Sequence, residues 1–200
     1  MVVLQEAPLP AGGAAEGHVW LGDNPRVGVV AAGRNGYRVS PGPPSAVQAA
    51  FPVIVTGPSN FHLLAVWTKP RPGYSLGLWQ ELDAHREYLL AAPSVVLGDF
   101  NTNARWKHPR AVADHDRVVA RLETEFGLVS AYHAHHGVAQ GAEAHPTHYF
   151  QWKEARPFHI DYCFVPKRWR VTGAEVGDYA AWRTLSDHRP LVVDVLVPAE

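Results

Sequence analysis

The stretch Val95-Val96-Leu97-Gly98-Asp99-Phe100-Asn101 decides how this chain is read. Its apolar start, Ser94–Leu97, has no polar alternation and reads as a short strand of the fully buried kind. The run stops at a glycine, and a carboxylate and a carboxamide follow two residues apart. In an extended chain Asp99 and Asn101 point the same way, so both polar groups leave one side of the strand end. Gly98 permits an unusual backbone or a close approach at that point. A strand terminus carrying Asp and Asn is a usual place for a polar site. It is equally a place where the two residues cap a turn through local hydrogen bonds.

Working outward, three other segments carry chemistry that could join it. In Phe158-His159-Ile160-Asp161-Tyr162-Cys163-Phe164, alternation predicts Phe158, Ile160, Tyr162 and Phe164 on one face and His159, Asp161 and Cys163 on the other. A carboxylate in so apolar a strand is costly unless paired, and it calls for a histidine or arginine partner. A purely structural ion pair would also satisfy it. Leu185-Ser186-Asp187-His188-Arg189-Pro190-Leu191 puts Asp187 and His188 in the loop before the last strand. There one can serve a metal and the other a proton transfer, and a plain exposed loop would look the same. Leu4-Gln5-Glu6 ends the first strand with a carboxylate, a hard ligand of the kind Mg²⁺ prefers.

In this order the pieces LQE (4–6), GDFN (98–101), HIDY (159–162) and SDHRPL (186–191) resemble the endonuclease/exonuclease/phosphatase superfamily, which has the DNase I-like fold. A four-residue match such as GDFN arises by chance in roughly one in a thousand chains of this length, and four ordered pieces make coincidence far rarer. The resemblance spans Leu4 to Val197. It implies an α/β fold, a two-sheet β-sandwich flanked by helices in four α/β/β/α layers. It implies a hydrolase of phosphoester bonds, either a nuclease or phosphodiesterase or a lipid or inositol phosphatase. The implied cofactor is Mg²⁺, with Mn²⁺ as the alternative ion, and DNA is among the implied phosphodiester substrates. Glu6 matches the metal-binding glutamate and Asp187 the carboxylate beside the metal. Asp99 matches the residue that holds the attacking water, and Asn101 the one that hydrogen-bonds the scissile phosphate. Asp161 matches the partner of the catalytic histidine, His188. His148, in Pro146-Thr147-His148-Tyr149, is the candidate for a further substrate contact.

Two departures from the family pattern stand out. The family normally opens with another strand, carrying an asparagine near the metal, and then a helix. Here Met1 falls directly before VVLQE, so the chain reads as N-terminally short. That motivates a second class of function, a catalytically crippled relative that only binds phosphate. The other departure is Trp67, where many relatives have Tyr or His near the phosphate. An indole offers one N–H and no acceptor, and the expectation is a core tryptophan, with Thr68 or Lys69 as substitute donors.

The 200 residues, 46% hydrophobic and 18% charged, suit one globular domain, read as residues 1–200. A formal charge of −1 excludes a bulk polycation that coats nucleic acid, so phosphate chemistry must come from a local site. A single cysteine, Cys163, rules out an internal disulfide and fits a reducing compartment. The start MVVLQEAPLP lacks the basic region of a signal peptide, and Asp194 splits the apolar tail. The expectation is a soluble, cytoplasmic chain with no membrane association and no obligate protein partner.

Strands are predicted at Val2–Leu4, Arg26–Ala32, Ala46–Thr56, Phe61–Thr68, Ser94–Leu97, Thr147–Gln151, Phe158–Val165 and Pro190–Val197. Helical spacing predicts Ser75–Ala91 and Val112–Phe126, the second ended by Gly127. Ala11–Gly17, Ser40–Ser45 and Tyr132–Thr147 read as loops or turns. His133, His135, His136, His145 and His148 form a histidine-rich run that spacing alone would allow as a Zn²⁺ site. Trp106, Tyr149 and Trp152 could stack on a base or pack peripherally. Arg34, Arg105, Arg110, Arg156 and Arg189 could form a phosphate-facing rim.

Overall fold

The computed structural model describes residues 1–10, 17–107 and 111–198. The predicted loop at Ala11–Gly17 and the rim position Arg110 lie largely or wholly outside them. In chain order the elements are β1 (Val2–Ala7), β2 (His18–Asn24), β3 (Val27–Ala32), β4 (Arg38–Pro41), β5 (Ala50–Thr56) and β6 (Phe61–Trp67). Helices α1 (Tyr74–Ala84) and α2 (Arg86–Leu90) precede β7 (Ser94–Asp99), and α3 (His115–Thr124) precedes β8 (Leu128–Ser130) and α4 (Ala131–His136). Then come β9 (His148–Tyr149), β10 (Pro157–Phe158), β11 (Asp161–Pro166), β12 (Arg170–Val176), α5 (Tyr179–Trp182) and β13 (Leu191–Leu196).

The central sheet has six strands in the order β4-β5-β6-β7-β11-β8. Only β6 and β7 run parallel, and the long path through α1 and α2 supplies the crossover that a parallel pair requires. Both faces of this sheet are covered. Leu64, Val66, Val96, Tyr162 and Phe164 pack on Leu78, Leu82 and Leu89 of α1 and α2 and on Val118, Val119 and Leu122 of α3. Their neighbours Leu63, Val95, Cys163 and Val165 face the opposite way, onto Val19 and Ala31 and onto Val3, Val193 and Val195 of the second layer. This two-sided burial is why β7 shows an unbroken apolar run. The second layer is the β1-β3-β2 sheet together with the β12-β13 hairpin. Its outward-facing residues Val2, Leu4, Val192 and Leu196 are exposed. The mixed α/β, two-sheet architecture is the one the motifs implied. Cys163 is buried, which pushes its thiol up to about 12 and leaves it inert.

Several elements differ from the sequence reading, each for a local reason. The predicted helix Ser75–Ala91 is divided at His85, whose backbone leaves the helical region (φ −109°, ψ 19°). The His85 imidazole instead donates from Nε2 to Glu81 Oε2 at 3.1 Å. The predicted strand Ala46–Thr56 begins only at Ala50. Residues 45–49 wrap around the same Glu81 carboxylate, which accepts from Ser45 Oγ (2.5 Å) and from the N–H groups of Ala46 (3.0 Å), Val47 (2.9 Å) and Ala49 (3.2 Å). Part of the predicted turn Ser40–Ser45 is the strand β4, paired along β5. The second helix starts late, at His115, because Asp114 caps it by accepting from Arg117 N at 3.0 Å. The reading Tyr132–Thr147 as loop missed α4, which Gly137 ends in the left-handed conformation.

Glu81 therefore organises a loop and a helix break together. Full burial of its side chain would raise its pKa, but the bonds from His85, Ser45, Ala46 and Val47 outweigh that and lower it to about 2, from 4.5. A carboxylate depressed on folding stabilises the fold above its unfolded pKa, and that contribution is lost as pH falls from about 4.5 through about 2. The shift corresponds to roughly 3 kcal/mol. Urea midpoints followed against pH should fall across that window for the wild type and fall less for Glu81→Gln, which should also be destabilised by about 2–4 kcal/mol at pH 7.

Candidate active site

Antiparallel pairing of β7 with β11 sets Asp161 directly opposite Asp99. Asp99 is buried. Burial and the charge of Asp161 push its carboxyl well above the ordinary value, against the charge of His188 and the bond from Asn101, with Glu6 adding a further upward push. Asn101 lies just past the strand with a positive φ of 50°. Its backbone N–H donates to Asp99 Oδ1 at 2.8 Å, and its Nδ2 donates to Asp99 Oδ2 at 2.6 Å and to the Thr68 carbonyl at 3.2 Å. Both amide protons are thus committed within the protein. These bonds hold the Asn101 side chain against the Asp99 carboxyl.

Gly98 makes this strand end possible. Its φ is +137°, and a Cβ there would lie 2.1 Å from the Val66 carbonyl oxygen and 2.7 Å from Gln5 Nε2. Gln5 donates to that same Val66 carbonyl at 3.3 Å. The LQE and GDFN segments are therefore linked at a position where a side chain is excluded. Next in the chain, Glu6 has a positive φ of 56° at an irregularity in the β1–β3 register. It is exposed, and among the described residues no hydrogen bond or ion pair holds its carboxylate.

His188 Nδ1–H donates to Asp161 Oδ2 at 2.9 Å, the pair that a buried-strand carboxylate required. Burial alone would lower the imidazole pKa. Asp161 outweighs that through charge and hydrogen bond, and with Asp99 and Asp187 it holds His188 up at about 9. The strand carrying Asp161 is shorter than predicted. Phe158 pairs instead with His148 in β10–β9. Thr147 Oγ1 accepts from the N–H groups of Ile160 and Asp161, each at 3.0 Å, and so fixes where β11 begins. His159 turns away, its Nδ1 meeting the His145 carbonyl at 2.8 Å.

The loop bearing Asp187 and His188 is held on three sides. Tyr149 N donates to the Asp187 carbonyl (2.8 Å), and Arg189 N donates to the Thr147 carbonyl (2.6 Å). Arg189 is buried against the rings of Tyr149 and Tyr179, 4.7 and 4.8 Å from their centroids, and donates to the carbonyls of Ser186 and His188 at 2.8 Å each. This corrects its place in a phosphate-facing rim: the guanidinium braces the loop that carries Asp187 and His188. His148 is brought beside His188, with ring centroids 4.5 Å apart. Trp67 is buried with Val29, Phe51 and Ala65, a core residue as expected. Thr68 is also structural, donating from Oγ1 to the Phe100 carbonyl at 2.6 Å.

The other predicted histidines do not form one ligand set. His133 accepts from Ser130 and donates to Glu143 inside the protein, His136 donates to the Ala174 carbonyl, and His145 meets the Tyr132 hydroxyl. Trp106 borders a small pocket with Asn101, Thr102 and His115, and its ring meets Phe158 edge-on at 5.1 Å. Thr147, Gln5 and the buried role of Arg189 were not found from the sequence. The alternation rule sees side-chain direction but not which hydroxyl or amide closes a loop.

The donor set at the strand mouth suits a hard divalent cation. Asp161 and Glu6 both lie near enough to Asp99 for their charges to raise its carboxyl, and the exposed Glu6 carboxylate has no partner among the described residues, so it stands free to bind.

The chain belongs to the endonuclease/exonuclease/phosphatase family, whose sequence pattern matches residues 1–188. That membership places it in a class of hydrolases. No curated protein sequence matches it significantly. Among solved structures it is similar to an endonuclease/exonuclease/phosphatase from Beutenbergia cavernae (19% identity, TM-score 0.58), covering 96% of this chain and 51% of that one. It thus spans about half the length of that relative. It is also similar to the 3′ phosphatase NExo from Neisseria, solved bound to a product DNA hairpin (19% identity, TM-score 0.63, 88% of this chain and 78% of that one). A third is the endonuclease domain of TRAS1, a telomere-specific non-LTR retrotransposon (14% identity, TM-score 0.64, 96% and 82%).

Two substitutions test how the site is built. Gly98→Ala combines a forbidden φ with a backbone clash and should cost on the order of 3 kcal/mol or prevent folding, seen as a lowered urea midpoint. Thr147→Val keeps the shape but leaves two N–H groups without their acceptor, and should cost about 1–3 kcal/mol by the same measurement.

Proposed function

We propose that this chain is a divalent-metal-dependent hydrolase of phosphoester bonds and that it acts as a nuclease or phosphodiesterase. The observation that carries the reading is the Asp161–His188 pair, 2.9 Å apart, facing the buried Asp99 carboxyl across the β7–β11 pairing. In this reading Asp99, raised in basicity by burial and by Asp161, holds the attacking water for in-line attack. His188, kept cationic by Asp161, donates from its free Nε2 to a phosphate oxygen. Asn101 acts through Asp99, and Arg189 and Thr147 keep His188 and Asp161 in register. Glu6 and Asp187 would hold Mg²⁺ or Mn²⁺, which when bound supplies charge neutralisation at the phosphate and at the leaving oxygen.

The preference for a nucleic-acid substrate is supported by exposed aromatic rings in the segments flanking the mouth, Trp106, Phe150 and Trp152, which could stack on bases. His148 stands beside His188 where a flanking phosphate or sugar would pass. A neighbour of this fold acts as a 3′ phosphatase on DNA, which adds a terminal 3′-phosphate to the substrates worth testing.

The test is hydrolysis of bis(p-nitrophenyl) phosphate, plasmid DNA, abasic duplex and 3′-phosphorylated DNA with Mg²⁺, and again after chelation. Activity should require the cation. Asp99→Ala and His188→Ala should each lower turnover by about 10²–10⁴-fold. Asn101→Ala should lower kcat with little change in KM, because the residue acts through Asp99. Activity untouched in both Asp99→Ala and His188→Ala would overturn the assigned site.

A further inference from the structure

His148 is an imidazole without a settled partner. Its side chain is only 12% exposed, yet its Nδ1 is buried with no hydrogen bond and its Nε2 lies 3.6 Å from Asp187 Oδ2, beyond hydrogen-bond reach. An imidazole so placed forgoes bonds it would make in water unless something binds it. The structure supplies two candidate co-ligands. His148 and His188 sit across an isolated antiparallel bridge, and Asp187 precedes His188. One ligand atom from each of His148, Asp187 and His188 falls within 4.8 Å of the others, and among the described residues this is the one group of three or more such side chains so gathered.

We propose that His148, Asp187 and His188 form a zinc site, which shares Asp187 with the magnesium site proposed at Glu6 but adds two imidazoles, and that zinc bound there blocks the reaction. Two imidazoles and one carboxylate with an open fourth position match Zn²⁺ and suit Mg²⁺ poorly. With bonds of 2.0–2.1 Å, tetrahedral ligand atoms lie about 3.3 Å apart, so modest side-chain rotation closes the cluster. The outer support is already built: Asp161 accepts from His188 Nδ1 at 2.9 Å, which fixes the ring and turns Nε2 outward as the ligand atom. The loop that carries two of the three ligands is braced by Arg189 and by the Tyr149 N–H. The binding claim stands on this geometry alone. The inhibition claim rests on the proposed function, because zinc would take the Nε2 that donates to phosphate.

The experiment titrates Zn²⁺ into chelator-stripped, folded protein by calorimetry, or against a chromophoric chelator, with millimolar Mg²⁺ present. One zinc per chain is expected. His148→Ala and Asp187→Asn should each weaken it by 10-fold or more, while His136→Ala, which removes a histidine of the surface cluster, should leave it unchanged. Zinc should also inhibit hydrolysis, with the ratio of rates with and without zinc approaching one in His148→Ala. No stoichiometric binding, or binding lost with His136 and retained without His148, overturns the site. Stoichiometric binding through His148 in a protein with no hydrolytic activity would uphold the site and sink the functional reading instead.

Discussion

Two carboxylates placed side by side by a sheet register are the constraint on which the rest of this site depends. Asp99 and Asp161 face each other because β7 and β11 pair as they do, and a shift of one residue would send them to opposite faces. Like charges a few ångströms apart in a poorly solvated place repel by several kcal/mol. The fold answers with one histidine. His188 comes from a loop far along the chain, so it must be held from outside: by the bridge to His148, by the buried guanidinium of Arg189, and by the carbonyls that Arg189 gathers. Thr147 serves both sides, ending β11 at Asp161 through its hydroxyl and taking the Arg189 N–H through its carbonyl.

The protein contains other buried carboxylates, and the contrast shows what makes Asp99 different. Glu81 is surrounded by donors and falls to about 2. Glu143 also falls to about 2: burial raises it, but His133, the Gly141 N–H and Asn103 outweigh that. Both fix loops, and Glu143 also ties Asn103 to the Tyr162 hydroxyl and the His159 carbonyl beneath the site. Among the described residues Asp99 receives donors only from Asn101, and it has Asp161 beside it, so its carboxyl moves the other way. A carboxylate wrapped in donors is locked in its charged form and becomes structure. One left short of donors beside a like charge keeps its affinity for a proton and can take part in chemistry.

This division accounts for which parts of the molecule could be read from the sequence. Asp161 was legible because a carboxylate within an apolar run is too costly to bury without a partner, and Asp99 because it follows a glycine at the end of a buried strand. The loops were not. Residues 45–49 carry strand-like composition, but Glu81, 32 or more positions away, offers their N–H groups a better acceptor than a neighbouring strand. β2, β8 and β12 have ordinary composition and gain their identity from pairing partners that no local window contains. Arg189 shows the same limit in reverse. As one arginine among several it suggested part of a phosphate-facing rim, and only the two tyrosine rings against it and the carbonyls it bonds reveal a brace. The roles of His148 and Asn101 depend on which of their nitrogen atoms are already occupied, a property of distances rather than of residue types.

The near-zero net charge of the chain acquires a local meaning at this mouth. Asp99, Asp161 and Asp187 act on a single imidazole and Glu6 adds its charge near Asp99, so the residues by themselves present surplus negative charge to an incoming phosphate. No compensating field comes from the surface as a whole, whose formal charge is −1, and Arg189 is spent on the loop. An anionic ester therefore cannot be drawn to Asp99 by long-range steering. On the proposed reading its approach depends on cation binding at the exposed, unpartnered Glu6, and the exposure of that one carboxylate amid its half-buried or buried neighbours becomes a requirement of the order of events. A site that must acquire positive charge before it can accept substrate is controlled by which cation arrives and where it settles, at the carboxylate oxygens or at the imidazoles a few ångströms away.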